Sequence, residues 1–316
     1  MVPLYLAPLR GVTLAPFRRA LFARFGGVDG ALAPFASPGG GKVPERIFAD
    51  VAGCAGAVPS VTPQVIGKDP AALREAAKTL RGMGFTRMNL NAGCPWKFVA
   101  KKGRGCGLPE NPDAFRRMLE AGCEAMPGGF SVKIRLGWHS PDVLAARAAL
   151  LNEFPLESVT VHPRTGDQMY GGAADLDAFA SVFHLLRAPV VYNGDVFRAE
   201  DAVRVVKRVP AVAGIMIGRG LCMRPWLAEE VRAALRGDPP PRTEGESRAA
   251  AADMAEALAA EYAATLYGPA PLVGRLKELW SYLHAAFEDG DDGLRAILHA
   301  TTPEALLAAA RKLAAR

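Results

Sequence analysis

Between Met1 and Arg236 short apolar runs alternate with longer stretches of helical periodicity, and this alternation constrains the fold more than any other feature. The runs are Val2–Ala7, Gly30–Ala33, Val61–Ile66, Thr86–Leu90, Ser131–Arg135, Ser158–Val161, Val190–Tyr192 and Gly214–Ile217. Helical patterns cover Pro16–Phe25, Pro70–Gly82, Pro112–Glu124, Pro141–Glu153, Leu176–Arg187 and Ala199–Arg208. Short strands that are apolar on both faces belong to a parallel sheet with helices packed against it. Eight such strand candidates predict an α/β fold of the closed (β/α)8 TIM-barrel type. An open doubly wound sheet would carry a glycine fingerprint after its first strand, and none is present.

The barrel is expected over residues 1–236, followed by a linker at 237–246 rich in proline, glycine and charge. Residues 247–316 then form a small helical domain, with helices expected at Ser247–Tyr267, Pro271–Phe287, Gly293–Ala300 and Pro303–Ala315. Charge divides along the chain. From Glu244 onward 7 Lys and Arg face 11 Asp and Glu, a net of −4 within a total of +6, so the remainder carries +10. A basic larger part fits a nucleic-acid partner, although charge alone is weak evidence of one. Five cysteines, scattered and without CxxC spacing, argue against a disulfide framework or a metal site and for a reducing cytoplasm. The first residues lack the pattern of a secretion signal, and no apolar run is long enough to span a bilayer. A monomer is expected.

Barrel active sites are assembled from the C-terminal ends of the strands. Polar residues crowd those positions here: Arg10, Gln64, Asn91 with Cys94, Lys133 with Arg135, His162 with Arg164, Asn193-Gly194-Asp195, and Gly218-Arg219-Gly220. Taken singly each has a plain structural explanation; their recurrence at successive strand ends does not. Gly218-Arg219, opening a helix, offers backbone amides and a guanidinium to a phosphate, and the Asn193–Asp195 turn offers a second set of amides. Gln64, Lys133 and His162 suit the edge of a planar heteroaromatic ring, and a lysine there would stabilise negative charge on a reduced isoalloxazine. Cys94 stands between Gly93 and Pro95, followed by a basic loop with Lys97, Lys101, Lys102 and Arg104, so a polyanionic substrate is expected.

Together these residues resemble the tRNA-dihydrouridine synthases. The matching blocks are Ala7-Pro8-Leu9-Arg10-Gly11, Gln64 before Ile66-Gly67, Asn91-Ala92-Gly93-Cys94-Pro95 and Gly103-Arg104-Gly105. They continue with Lys133-Ile134-Arg135, His162-Pro163-Arg164-Thr165 with Gln168 and Tyr170, Asn193-Gly194-Asp195, and Ile217-Gly218-Arg219-Gly220. The runs Val132–Trp138 and Arg275–Leu283 are most similar to the bacterial C-type branch, which implies uridine 16 of the D-loop. The resemblance implies FMN held by Pro8, Leu9, Arg10, Gln64, Lys133, His162, Asn193, Gly194, Asp195, Gly218 and Arg219, with NADPH or NADH as reductant. It implies hydride transfer from FMN N5 to C6 of the uridine and a proton from Cys94 to C5. Contacts to tRNA are assigned to Asn91, Lys97, Lys101, Lys102, Arg104, Arg135, Arg164, Arg275 and Lys277. The target base must leave its stack to react, and Phe35, Trp96 and Tyr170 are candidates to hold it. Leu9, Leu14, Asn89 and Pro163 depart from the usual pattern, and none removes a group that the chemistry requires. No metal and no membrane are expected. An FMN-dependent oxidoreductase of a free pyrimidine or another small molecule is the alternative; it would need neither the basic loop nor the tail. A barrel that binds tRNA without catalysis is a third reading, and Cys94, Lys133 and His162 argue against it.

Overall fold

The computed structural model describes residues 1–315. Nine strands form one parallel sheet: β1 (Leu4–Leu6), β2 (Gly30–Leu32), β3 (Ser60–Thr62), β4 (Gln64–Val65), β5 (Met88–Ala92), β6 (Phe130–Gly137), β7 (Val159–Thr165), β8 (Val190–Tyr192) and β9 (Gly214–Ile217). Their order is β3-β2-β1-β9-β8-β7-β6-β5-β4. The expected strand 61–66 is thus two short strands parted at Pro63. Proline has no N–H to give to a ladder. The run pairs with β2 on one side of this break and with β5 on the other, and the Pro63 carbonyl accepts from Asn89 N at 2.9 Å. Because β3 and β4 are consecutive in the chain, the sheet closes on itself as a TIM barrel.

Helices follow in chain order: α1 (Ala15–Arg24), α2 (Pro70–Gly82), α3 (Lys97–Ala100), α4 (Pro112–Ala125), α5 (Val143–Leu151), α6 (Leu176–Phe183), α7 (Ala199–Arg208), α8 (Arg219–Met223), α9 (Leu227–Arg236), α10 (Glu244–Thr265), α11 (Pro269–Leu283), α12 (Gly290–His299) and α13 (Pro303–Ala314). Their starts are set locally. Asp69 and Asn111 cap α2 and α4 through their side-chain oxygens, each with proline at the first turn. Both helices then present an apolar stripe, Leu73, Ala76, Ala77 and Leu80 on α2 and Phe115, Met118, Leu119 and Gly122 on α4. Each large apolar side chain so buried contributes about 1.5–3 kcal/mol. Strand β5 is buried along its whole length, and β6 along all of it but Lys133, as expected of strands covered on both faces.

The chain divides into two compact units. One comprises Met1–Pro8, Asp29–Asp195 and Arg204–Ile217 and holds the whole sheet; the other comprises Leu9–Val28, Val196–Val203 and the chain from Gly218 onward. Within the second unit α1 packs on α10, and Arg19 pairs with Glu261. Helix α10 starts at Glu244, three residues before the expected Ser247, because Thr243 and Glu246 form a reciprocal capping box there. Leu272, Leu276, Leu279 and Leu283 line the buried face of α11. Among the described residues no helix is long and apolar enough to cross a membrane.

Candidate active site

In the barrel unit polar side chains of β4, β5 and β6 meet in a hydrogen-bonded row. Gln64 on β4 is buried; its Nε2 donates to Asn89 Oδ1 at 2.8 Å, and its Oε1 accepts from Asn91 Nδ2 at 2.9 Å. Asn89 in turn donates to Ser131 Oγ on β6 at 2.8 Å. Sequence reasoning noted Asn89 only as a departure from a pattern and passed over Ser131. The available signal was their inward register in strands that are otherwise apolar. Asn91 also shapes the turn beyond β5, since its Oδ1 accepts from Gly93 N at 3.1 Å and from Cys94 N at 2.9 Å. The chain Ser131–Asn89–Gln64–Asn91 therefore fixes where Cys94 stands. Asn91, expected as a substrate contact, is a buried brace for that turn.

From the other side Cys94 rests on the glycine loop. Its carbonyl accepts from Cys106 N at 3.1 Å. Gly105 has φ +55°, and a Cβ there would lie 2.6 Å from Cys94 O and 2.9 Å from Cys94 Cβ, so glycine is required on both counts. The basic loop is partly helical: α3 raises Lys97, Phe98, Lys101 and Lys102 into solvent. Phe98 is 80% exposed and Trp96 53%, an aromatic surface interleaved with the lysines; only Trp96 was singled out from the sequence. Arg104 reaches Ser37 Oγ at 3.4 Å.

Lys133 is half-buried by surface, but protein packs densely around its ammonium. Desolvation holds its pKa down to about 7, with the Arg135 charge acting in the same direction and Cys94 opposing. Cys94 is thus within electrostatic reach of Lys133, Arg135 and Cys106. Burial pushes the Cys106 thiol up to about 12, which keeps it protonated and unreactive at neutral pH.

His162 is 8% exposed and lies beside Tyr170, ring centroids 6.3 Å apart. Arg135, expected among the tRNA contacts, is 3% exposed, donates to the Thr165 carbonyl at 2.8 Å and lies 5.5 Å from the Tyr170 centroid. Arg164 is 1% exposed, and its five N–H groups are all engaged. They meet both carboxylate oxygens of Asp195, the carbonyls of Gly171 and Gly172, and His162 Nε2. It was expected among the tRNA contacts; here its donors brace the loop and the Asp195 turn. Asn193 donates from Nδ2 to the Met216 carbonyl at 2.7 Å. Gly194 follows it, and Phe35 is half-buried just before Ala36, which bridges to Val65.

The remaining predicted residues flank these strands in sequence. Pro8 and Leu9 follow β1, Leu9 N donating to Thr13 Oγ1 at 2.8 Å, and Arg10 is exposed. Gly218 precedes α8, where the Arg219 guanidinium lies 5.2 Å from the Phe197 ring centroid. Arg275 on α11 bonds the Gly11 carbonyl and Glu278 within its own unit, so it ties a helix to a turn; Lys277 is half-buried.

A parallel barrel whose strand ends gather a thiol, a lysine and a histidine beneath a basic aromatic rim defines an enzyme of the TIM-barrel class. The chain matches the dihydrouridine synthase (Dus) family over residues 5–270 and belongs to that family. It is 37% identical over 243 residues to a probable tRNA-dihydrouridine synthase of Rhodobacter capsulatus, covering 76% of this chain and 74% of the relative. A tRNA-dihydrouridine(16) synthase of Cupriavidus necator is 33% identical over 249 residues, covering 76% of each. A tRNA-dihydrouridine synthase B of Shewanella oneidensis is 36% identical over 172 residues, 54% of this chain and 52% of the relative. Among solved structures the fold is similar to morphinone reductase, with TM-score 0.52 and 14% identity over 78% of this chain and 88% of that one. It is also similar to the old yellow enzyme of Trypanosoma cruzi, with TM-score 0.53 and 10% identity over 77% and 90%.

Proposed function

We propose that this protein reduces the C5–C6 double bond of a D-loop uridine in tRNA, at position 16, with Cys94 as the proton donor. The observation that carries this reading is the bracing of Cys94 beside Lys133 by the Gln64–Asn91 pair. The donor set fits FMN. Gln64, Lys133 and His162 stand on β4, β6 and β7 and offer an amide, an ammonium and an imidazole to a ring rich in carbonyl acceptors. Asn193, Gly194 and Asp195 supply the turn for its phosphate end, and Pro8, Leu9, Arg10, Gly218 and Arg219 keep the cofactor assignment of their motifs. Held by these residues, FMN would supply hydride chemistry for C6 of the base, with NADPH or NADH as the source of electrons. The protein must deliver the matching proton. A thiol with the pKa of ordinary cysteine, about 8.5, is mostly protonated at neutral pH and suits that task. Lys133 stabilises negative charge at the mouth, and Lys97, Lys101 and Lys102 take RNA phosphates. Position 16 rests on the C-type runs Val132–Trp138 and Arg275–Leu283 and on the likeness to the tRNA-dihydrouridine(16) synthase of C. necator.

Replacing Cys94 by alanine separates the two half-reactions. Flavin reduction by the nicotinamide should persist, while dihydrouridine in tRNA falls to background. Product formation near that of the unaltered enzyme would remove Cys94 as the acid. Mapping dihydrouridine in tRNA from a deletion strain, with and without the gene restored, tests the position: the loss should fall at 16, and a loss elsewhere assigns another uridine.

A further inference from the structure

His162 and Arg164 are two residues apart on β7, so their side chains leave the same face of the strand. Arg164 Nη1 stands 3.1 Å from His162 Nε2. A guanidinium has donors and no lone pair to accept with, and it stays charged throughout the pH range of folded proteins. The contact therefore has one polarity: Nη1–H donates and Nε2 accepts. An accepting Nε2 carries no proton, and a neutral ring must then hold its single proton on Nδ1. We propose that Arg164 is a positioning residue that locks His162 as the neutral Nδ1–H tautomer, so that Nδ1 can act only as a hydrogen-bond donor.

The lock is itself held rigidly. The second Nη1 hydrogen goes to Asp195 Oδ1 at 3.0 Å, and Nη2 goes to Asp195 Oδ2 and the Gly172 carbonyl, each at 2.6 Å. Asp195 Oδ2 also accepts from Ala174 N at 3.0 Å, so the carboxylate offsets the buried cation and joins the loop to the turn after β8. The two arginines around the ring oppose a second proton, and the one carboxylate in the cluster, which would favour it, is neutralised by Arg164. Arg164 lies on its own strand, and Arg135 is its register partner on β6. Tyr170 flanks the ring from the following loop, and the Asp195 carboxylate is engaged by Arg164. Any atom that meets Nδ1, from the protein or from a ligand, must consequently be an acceptor, a carbonyl oxygen or an unprotonated ring nitrogen. The proposal deepens the cofactor reading but rests on the protein's geometry alone.

The test is long-range proton–nitrogen NMR on the full chain labelled with ¹⁵N-histidine. The His162 signals are assigned by their absence in His162→Gln, against four other histidines of the five in the chain. Nε2 should show the shift of an unprotonated nitrogen and Nδ1 that of a protonated one, unchanged between about pH 5 and 8. In Arg164→Met the ring should lose that preference and titrate near the ordinary imidazole value of about 6.5. Arg164→Lys, which keeps a donor, should restore part of it. A protonated Nε2 or an imidazolium in the unaltered protein overturns the proposal even if neither variant folds. So does an unchanged, non-titrating Nδ1–H ring in a folded Arg164→Met. Flavin titration of the same samples bears only on the cofactor reading, so either idea can fail alone.

Discussion

Lys133 is where one side chain sets a condition on the whole site. Desolvation first, and Arg135 second, lower its pKa from the lysine value of 10.5 to about 7, while Cys94 opposes them. The unfolded chain holds the proton up to 10.5 and the folded chain releases it near 7. Between those values the unfolded state binds more protons, so stability rises with pH. That stability is fully present above 10.5 and is lost as pH falls through 7. Lys133→Met keeps an unbranched side chain, one atom shorter, and removes the charge. Its advantage in urea-denaturation midpoint over the unaltered protein should be largest below pH 7 and vanish above 10.5. An advantage independent of pH would mean that the ammonium is well solvated. On the proposed cofactor reading the same substitution should also weaken flavin binding, because the anionic edge of the ring would lose its cation.

The glycine loop after Cys94 shows what a short element does for a reactive group. Residues 105–107 form a single 3₁₀ turn whose backbone lies under Cys94, and Gly105 has no room for a methyl group. Gly105→Ala should displace the thiol while leaving the barrel and its cofactor residues in place. Misplacing a reacting group by about 1 Å can cost about 100-fold in rate. The expected result is a fall of that order in kcat for dihydrouridine formation, with KM for tRNA and flavin content nearly unchanged. Wild-type turnover would show that the loop does not position the sulfur. Helix starts were largely legible, because Asp69-Pro70, Asn111-Pro112 and Thr302-Pro303 announce them in the sequence. Helix α3 was not: four residues are too few for periodicity to register, and glycine and lysine read as loop. The break at Pro63 was hidden inside an apolar run whose hydrophobicity continues across it. In the site, Cys94, Lys133 and His162 could be named from strand-end position. The burial of Arg135 and Arg164 could not, because a charged residue at a strand end looks the same whether it meets solvent, a backbone carbonyl or an aspartate from a turn elsewhere in the chain.

Chain order and packing divide the molecule differently: Leu9–Val28 is compact with the helices beyond Gly218, and Arg275 bonds the Gly11 carbonyl there. The tail's basic residues are thus partly committed within their own unit, which already carries the acidic stretch from Glu244. Exposed positive charge near Cys94 in the chain belongs instead to Lys97, Lys101 and Lys102. For an RNA substrate, each phosphate contact adds to the salt dependence of binding by counterion release, with a slope of about −0.7 to −0.9 per contact. Replacing these three lysines by alanine should therefore reduce the slope of log K against log salt by about 2–3, with little loss of flavin. Arg275→Ala should behave in the opposite way, lowering thermal stability through the lost Gly11 and Glu278 contacts while leaving the slope nearly unchanged. Measuring tRNA affinity across a salt series for both variants decides between the two faces. A slope that survives loss of the three lysines but collapses with Arg275 would move the RNA footprint from the barrel rim to the helical tail.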